Sequence, residues 1–369
     1  SFMAKAELFK VPFLGFMHSH RGTSLCCVAK PYTFEGPQIF WQSNLRKKVI
    51  EQMNQGLKPN ECSYCYKAEE NGEPSLRQSY NASLKNIMPN SNYPVWLDLD
   101  WSNFCNLKCF MCEPTRSSTL ALEQGVFTET KGVKKAHRLD VEEIYNLTSK
   151  HLRKIDLQGG EPSLMEEYHK YLGWLIERGY SKNIELQFTT NLTNIPKRWT
   201  EYLSHFKKVS VILSMDAYGK VNSYIRFPSN WKKINENFDS LLGRFDLGIH
   251  STLQATSLFE SKKYFQHVQA METMCMETDG KFAFNLAVIQ GGSQPYSINN
   301  APSKLKQEWI DNARNFRTKN VHVALAIRKL IATLKEDGEP EKFKNFIQKN
   351  DKTRNIEVEN YIENFYDYF

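Results

Sequence analysis

Nowhere in its 369 residues does the chain run for the roughly 18 consecutive apolar residues that a bilayer-spanning helix needs. An arginine-rich presequence and the apolar core of a signal peptide are missing as well. A cytoplasmic location with no membrane partner is therefore expected. No internal repeat of fixed period and no low-complexity tract occurs, which excludes solenoid and disordered architectures. The composition of 41% apolar, 13% aromatic and 24% charged residues is that of a folded globular protein. Charge of one sign does not dominate either. A net charge of +7 is modest for this length, and the lysine pairs at Lys47–Lys48, Lys134–Lys135, Lys207–Lys208 and Lys232–Lys233 read as solvated surface. Nucleic acid is left as a weakly supported partner.

What is there divides into three regions. Residues 3–93 are irregular and punctuated by turn signals such as Pro31, Gly36-Pro37, Pro59-Asn60 and Gly72. One helix is predicted inside them, from Trp41 to Gly56, because Leu45, Val49, Ile50 and Met53 recur at helical spacing. Residues 94–292 alternate short apolar runs with helical patterns. Strands are predicted at Val95–Leu99, Lys154–Leu157, Ile184–Thr189, Val209–Leu213, Gly248–Gln254 and Phe282–Ile289, with helices near 140–150, 166–178, 197–206, 231–244 and 261–275. Such alternation calls for parallel strands joined by crossover helices. Six units are fewer than the eight of a closed barrel, so the expected fold is α/β, a partial (β/α)6 TIM-like barrel. Residues 293–369 lack strand alternation and read as a helical C-terminal extension.

The chain has eight cysteines, and seven of them are grouped: Cys26, Cys27, Cys62 and Cys65, then Cys105, Cys109 and Cys112. Gaps of two or three residues in a cytosolic chain favour metal ligation over disulfides. Cys275 stands alone in a helical pattern and reads as inert packing. Directly after the first predicted barrel strand comes Cys105-Asn-Leu-Lys-Cys109-Phe-Met-Cys112. Three thiolates on one short loop can hold three corners of a four-iron cluster and leave the fourth iron without a protein ligand. A closed zinc knuckle would need a fourth Cys or His close by, and the nearest downstream histidine is His137.

This spacing on the loop after a first barrel strand resembles the radical S-adenosylmethionine (SAM) superfamily. The resemblance implies that Cys105, Cys109 and Cys112 bind a 4Fe–4S cluster whose free iron chelates the amine and carboxylate of SAM. Electron transfer then cleaves the sulfonium, and a 5′-deoxyadenosyl radical abstracts hydrogen from the substrate. A one-electron donor of flavodoxin or ferredoxin type is implied with it. Where the family usually carries an aromatic residue before the third cysteine, this chain has Met111, and the resemblance implies that it serves for the same apolar, backbone-mediated contact to adenine.

Later strand ends add candidate SAM contacts. Gln158-Gly159-Gly160-Glu161-Pro162 puts two glycines where a backbone must come close to a ligand, with a carboxylate that accepts from an ammonium. It resembles the family's glycine–glycine–glutamate motif for the cofactor's amino group. Asn191 is either a strand-end cap or a polar contact. Ser214 and Asp216 fall on one side of a strand by two-residue alternation, and Arg226 follows. Resemblance to peptide-modifying members implies ribose contact by Ser214 and carboxylate pairing by Arg226, a task that suits the guanidinium fork. Gln254 is a weaker candidate, and Ile289, before Gly291-Gly292, either packs the adenine or belongs to the core.

Cys26, Cys27, Cys62 and Cys65 could hold a second iron–sulfur cluster, zinc, or nothing. They resemble the auxiliary-cluster modules of SPASM and twitch type, here placed before the barrel, which implies an auxiliary 4Fe–4S cluster. Adjacent Cys26 and Cys27 are awkward as ligands to one cluster, so one of them can be a bystander. His18 and His20 flank this segment in a strand-like stretch and read as structural. The leading functional expectation is an oxidoreductase or maturase acting on a peptide or protein side chain. The alternatives are modification of a nucleoside, nucleic acid or small metabolite, and an iron–sulfur electron-transfer protein without radical chemistry.

Overall fold

The computed structural model describes residues 9–19, 21–29, 36–126, 132–133, 138–291 and 293–369. His20, Pro31, Lys134, Lys135, His137 and Gly292 lie outside the described residues. Eight strands form one sheet: β1 (Gly15–Ser19), β2 (Gly22–Ser24), β3 (Trp96–Asp100), β4 (Lys154–Gln158), β5 (Glu185–Thr190), β6 (Lys208–Ser214), β7 (Asp246–Leu253) and β8 (Phe282–Val288). Their order is β2-β1-β3-β4-β5-β6-β7-β8. β1 with β3, β3 with β4, β4 with β5, β6 with β7 and β7 with β8 are parallel, whereas the β1–β2 hairpin is antiparallel. The fold is α/β with the strands of a partial TIM barrel, and each of the six predicted barrel strands is present within a residue or two of its expected ends.

The N-terminal region departs from the irregular module expected of it. β1 runs parallel to β3 in the register Gly15↔Trp96 to Ser19↔Asp100, which extends the barrel's sheet by a strand and a hairpin. All five residues of β1 are buried, yet Gly-Phe-Met-His-Ser lacks the β-branched run that marks a strand in sequence. Pairing supplies what propensity does not. The predicted helix from Trp41 to Gly56 is two, Pro37–Gln42 and Asn44–Asn54, because Ser43 turns to extended backbone and caps the second by accepting from the Arg46 amide.

The chain divides into two compact units: Ser1–Phe104, Glu129–Phe188 and Lys197–Val209 in one, Cys105–Thr128, Thr189–Pro196 and Ser210–Phe369 in the other. In the first, two-residue alternation sorts the strands into two unlike faces. Leu97, Leu99, Ile155, Leu157, Leu186 and Phe188 lie on one, with Phe188 edge-on to Trp199 of the helix Lys197–Leu203. Trp96, Asp98, Asp100, Asp156 and Gln158 share the other. Asp98 and Asp100 are fully buried there. Gln158 donates through Nε2 to both oxygens of Asp98, at 2.8 and 3.0 Å, and Trp96 Nε1 donates to Asp156 at 2.6 Å. A polar inner face lets parallel strands alternate instead of reading as continuous apolar runs.

In the second unit the core is aromatic. Phe265 packs on Trp309 and Phe316, and Phe343 on Phe365 and Phe369. The helices Ser303–Asn315, Val321–Leu334 and Pro340–Arg354 realise the helical extension read from the sequence.

Candidate cofactor site

The cysteine loop begins as the chain leaves β3 and is pinned along its whole length. At its start, the Cys105 amide donates to Ser118 Oγ at 3.1 Å, and that hydroxyl donates back to the Cys105 carbonyl at 3.2 Å. Ser117 and Thr119 both donate to the Leu107 carbonyl, at 2.6 and 2.7 Å. Further on, the Lys108 and Phe110 amides donate to the carbonyls of Phe227 and Ile225, at 2.6 and 3.1 Å. Three hydroxyl residues at the start of the helix Ser118–Gln124 thus fix a loop with no regular structure of its own. Cys105, Leu107 and Cys109 are buried together, with Met111 and Cys112 half-buried against them.

Two nitrogen donors aim at the sulfurs. Asn191 Nδ2 donates to Cys105 Sγ at 3.9 Å and to Asn106 Oδ1 at 3.0 Å, so Asn191 serves this loop and also accepts from Thr193 N and Oγ1 at the strand end. Arg226 Nη1 donates to Cys109 Sγ at 3.8 Å, while Nη2 and Nε pair with the two oxygens of Asp216 at 3.0 and 2.7 Å. The carboxylate that Arg226 grips is thus one the protein itself provides. Asp216 also accepts from the Thr252 amide at 2.8 Å. Burial pushes the Cys109 thiol up to about 12, with Arg226 as the first opposing influence. Burial raises Cys112 as well.

On the strands of the same unit, Ser214, His250 and Asn285 stand abreast on β6, β7 and β8. Burial lowers the His250 pKa, Asp216 opposing and Arg226 assisting. Gln254 is wholly buried just past β7, its amide donating to Ser257 Oγ at 3.2 Å. Ile289 is half-buried and tied by its backbone to Leu253 and Ile298.

In the other unit, the motif after β4 is shaped by close backbone approach. The Gly160 amide donates to the Ser102 carbonyl at 3.0 Å and the Glu161 amide to the Phe104 carbonyl at 2.8 Å. A Cβ on Gly160 would stand 2.2 Å from the Phe104 oxygen, and Gly159 has φ +120°. Both positions demand glycine. Glu161 is buried, and its Oε1 accepts from Ser163 Oγ at 2.7 Å.

The four N-terminal cysteines come together from two segments of this first unit. Cys26 and Cys27 lie in the turn after β2, and Cys62 and Cys65 one helical turn apart where Asn60–Cys62 runs into Ser63–Glu70. Cys26 and Cys62 are each pushed up to about 12, by burial first and then in part by neighbouring thiols of the same set, including Cys65. Tyr80 donates to Cys27 Sγ at 3.4 Å and lies edge-on to Trp96. Asp98 lies near enough to Cys27 to raise its pKa further, after burial. His18, expected to be structural, bonds through Nδ1 to Thr23 Oγ1 at 3.0 Å across the β1–β2 hairpin.

None of the eight cysteines is in a disulfide, and Cys275 is buried in the helix Ser261–Glu277. Among the described residues, no three His, Cys, Asp or Glu side chains are drawn into one metal-holding group. The Cys105–Cys112 loop nonetheless fits an iron–sulfur cluster by the chemistry of its donor set: three thiols outside any disulfide, with N–H donors on two of the sulfurs, the arrangement that favours thiolate ligands. Sequence reasoning did not find Ser117, Ser118 and Thr119, whose signal is three consecutive hydroxyl residues before a helical pattern. It did not find Tyr80 either, which carries none.

Residues 99–252 match the family model described as the radical SAM superfamily. Over that stretch the chain is similar to the radical SAM superfamily. No curated protein matches the chain. Solved structures similar to it include SuiB of Streptococcus suis bound to S-adenosylmethionine, at 16% identity over 88% of this chain and 71% of that one, TM-score 0.40. The same protein bound to its precursor peptide SuiA matches at 17% identity over 89% and 72%, TM-score 0.39. The methyltransferase TsrM of Kitasatospora setae, with tryptophan and a SAM analogue, matches at 12% over 55% and 37%, TM-score 0.39. Among the described residues, no helix is long and apolar enough to cross a membrane.

Proposed function

We propose that this protein reductively cleaves SAM and directs the resulting 5′-deoxyadenosyl radical to a side chain of a peptide or protein. The observation that carries the reading is the Cys105–Cys112 loop, with three thiols outside any disulfide, a fixed backbone and donors from Asn191 and Arg226 on the sulfurs of Cys105 and Cys109. Cys105, Cys109 and Cys112 would hold the 4Fe–4S cluster, which when bound supplies one-electron cleavage of the sulfonium. Met111 offers the apolar contact for adenine. Gln158, Gly159, Gly160 and Glu161 would meet the amino group, Ser214 the ribose, and Asn191, Asp216, Gln254 and Ile289 the remainder of the cofactor. Arg226, already paired with Asp216, keeps cationic charge beside Cys109 and so favours its thiolate.

The substrate class rests on Cys26, Cys27, Cys62 and Cys65. A second thiol set drawn from two segments, with Cys26, Cys62 and Cys65 buried and Cys27 half-buried, supports an auxiliary 4Fe–4S cluster, the accompaniment of peptide-modifying radical enzymes. Burial raises Cys26 and Cys62 to about 12, so these thiols keep their protons unless a bound metal displaces them, and metal uptake there would release protons. A flavodoxin- or ferredoxin-type donor and a cytoplasmic location complete the proposal.

The test is 5′-deoxyadenosine release after anaerobic reconstitution with iron and sulfide and reduction in the presence of SAM. Release from the native chain and none from Cys105→Ala is expected. If both proteins behave alike, the reading fails.

A further inference from the structure

The cysteine loop has one more support, and it comes from a residue more than 240 positions away. Arg354 is the last residue of the helix Pro340–Arg354, and its side chain is only 4% exposed. Its Nη2 donates to the Lys108 carbonyl, inside the loop, at 2.8 Å. Nη2 and Nε also form a fork on Glu123, at 3.0 and 3.1 Å, and Lys108 Nζ reaches the same carboxylate at 3.2 Å. Burial alone would raise the Glu123 pKa; Arg354, then Lys108, hold it below its ordinary value. The guanidinium lies over the rings of Phe110 and Phe227, 5.5 and 5.4 Å from their centroids.

The helix that carries Arg354 is itself fixed to the segment on the other side of the loop. Tyr224 donates to Asp351, Asn350 Nδ2 donates to the Tyr224 hydroxyl at 3.4 Å, and Phe110 is edge-on to both Tyr224 and Phe346. Packing alone does not hold the loop here, because a cavity of about 320 Å³ lies between helix and loop, lined by Cys109, Phe110, Glu123, Phe346 and Arg354 among others. One buried guanidinium N–H, Nη1, has no hydrogen-bond partner among the described residues. An orphan donor of that kind costs stability unless something accepts from it.

From this geometry we infer that Arg354 is a positioning residue for the cluster loop, holding Lys108 and Glu123 in place and adding a fixed positive charge beside Cys109. The C-terminal extension is then part of the cofactor site. The inference rests on the cluster assignment proposed above only for its electrostatic part. A positive charge near a cluster stabilises the reduced, more negative form, so removing it lowers the reduction potential.

The experiment has two arms on the full chain. In the first, hydrogen exchange of the amides of residues 105–112 is followed in the metal-free protein for the native chain, Arg354→Ala, Arg354→Lys and Glu123→Gln. In the second, the cluster's midpoint potential is measured by EPR in the reconstituted proteins without SAM. Arg354→Ala is expected to lose exchange protection across the loop and to shift the potential downwards. Arg354→Lys keeps the charge but not the fork, so it holds the native potential while exchanging faster. Native behaviour of folded Arg354→Ala in either arm overturns the inference, as does full exchange protection in Arg354→Lys. If Arg354→Ala does not fold, Glu123→Gln decides: faster loop exchange supports the latch and native exchange refutes it. A native chain that takes up no cluster sinks the proposed function, while the exchange arm still decides the latch.

Discussion

The two cysteine sets are built by different means. Cys105, Cys109 and Cys112 occupy one eight-residue stretch, and the fold's contribution is to fix its backbone and surround it with cations. Arg226 donates to Cys109, and Arg354 lowers the pKa of the same thiol. Cys26, Cys27, Cys62 and Cys65 come from segments some 35 residues apart, and the fold's contribution is to bring them together. Their surroundings are less cationic: Arg77 opposes the rise at Cys62, but Asp98 adds to the rise at Cys27. The contrast teaches that sequence spacing can define a cysteine set without tuning it. Tuning requires charges delivered from elsewhere in the chain.

The largest expected effect separates the two sets functionally. Cys109→Ala should abolish 5′-deoxyadenosine release, whereas Cys62→Ala should retain uncoupled release and lose the modified product. Equal loss of release in both variants, measured by chromatography of the quenched reaction, would merge the sets into one role. Next comes the cation beside the loop. Arg226→Ala strands the buried Asp216 carboxylate, and breaking a buried pair of this kind costs about 3–5 kcal/mol. Urea unfolding would show it as a lower midpoint with an unchanged slope. A change below about 1 kcal/mol would mean the pair carries no such penalty.

The smallest effect tests the other unit. Burial pushes His18 down to about 4, with Asp100 pulling the other way. A histidine lowered in the folded state is buried uncharged, so the unfolded chain takes up its proton first as pH falls. Stability from this residue is intact above pH 6.5 and declines towards pH 4, by roughly 3 kcal/mol at most. His18→Gln should flatten that part of the stability profile. An unchanged slope between those pH values would show that His18 is not buried in the neutral form.

Much of the site was legible because its chemistry is local. The spacing of Cys105, Cys109 and Cys112, the glycine pair at 159–160 and the six strand–helix alternations depend on neighbours within a few residues. Around His18 only a strand-like stretch was legible, and its place in the barrel's sheet was not, since that is set by pairing with β3 and β2. The buried role of Asp98, Asp100 and Asp156 was not read from the sequence, where they are only the polar positions of alternating strands. Nothing in the pattern says that the polar side is closed over.

By itself, the sequence determined the class of fold and the cysteine triad, because hydrophobic period and cysteine spacing are properties of short stretches of chain. Only the tertiary structure decided that Arg226 grips Asp216, that Tyr80 reaches Cys27, and that Arg354 holds Lys108 and Glu123. Hydrogen bonds and ion pairs act over a few ångströms of space, and the residues that share such a space can be hundreds of positions apart in sequence.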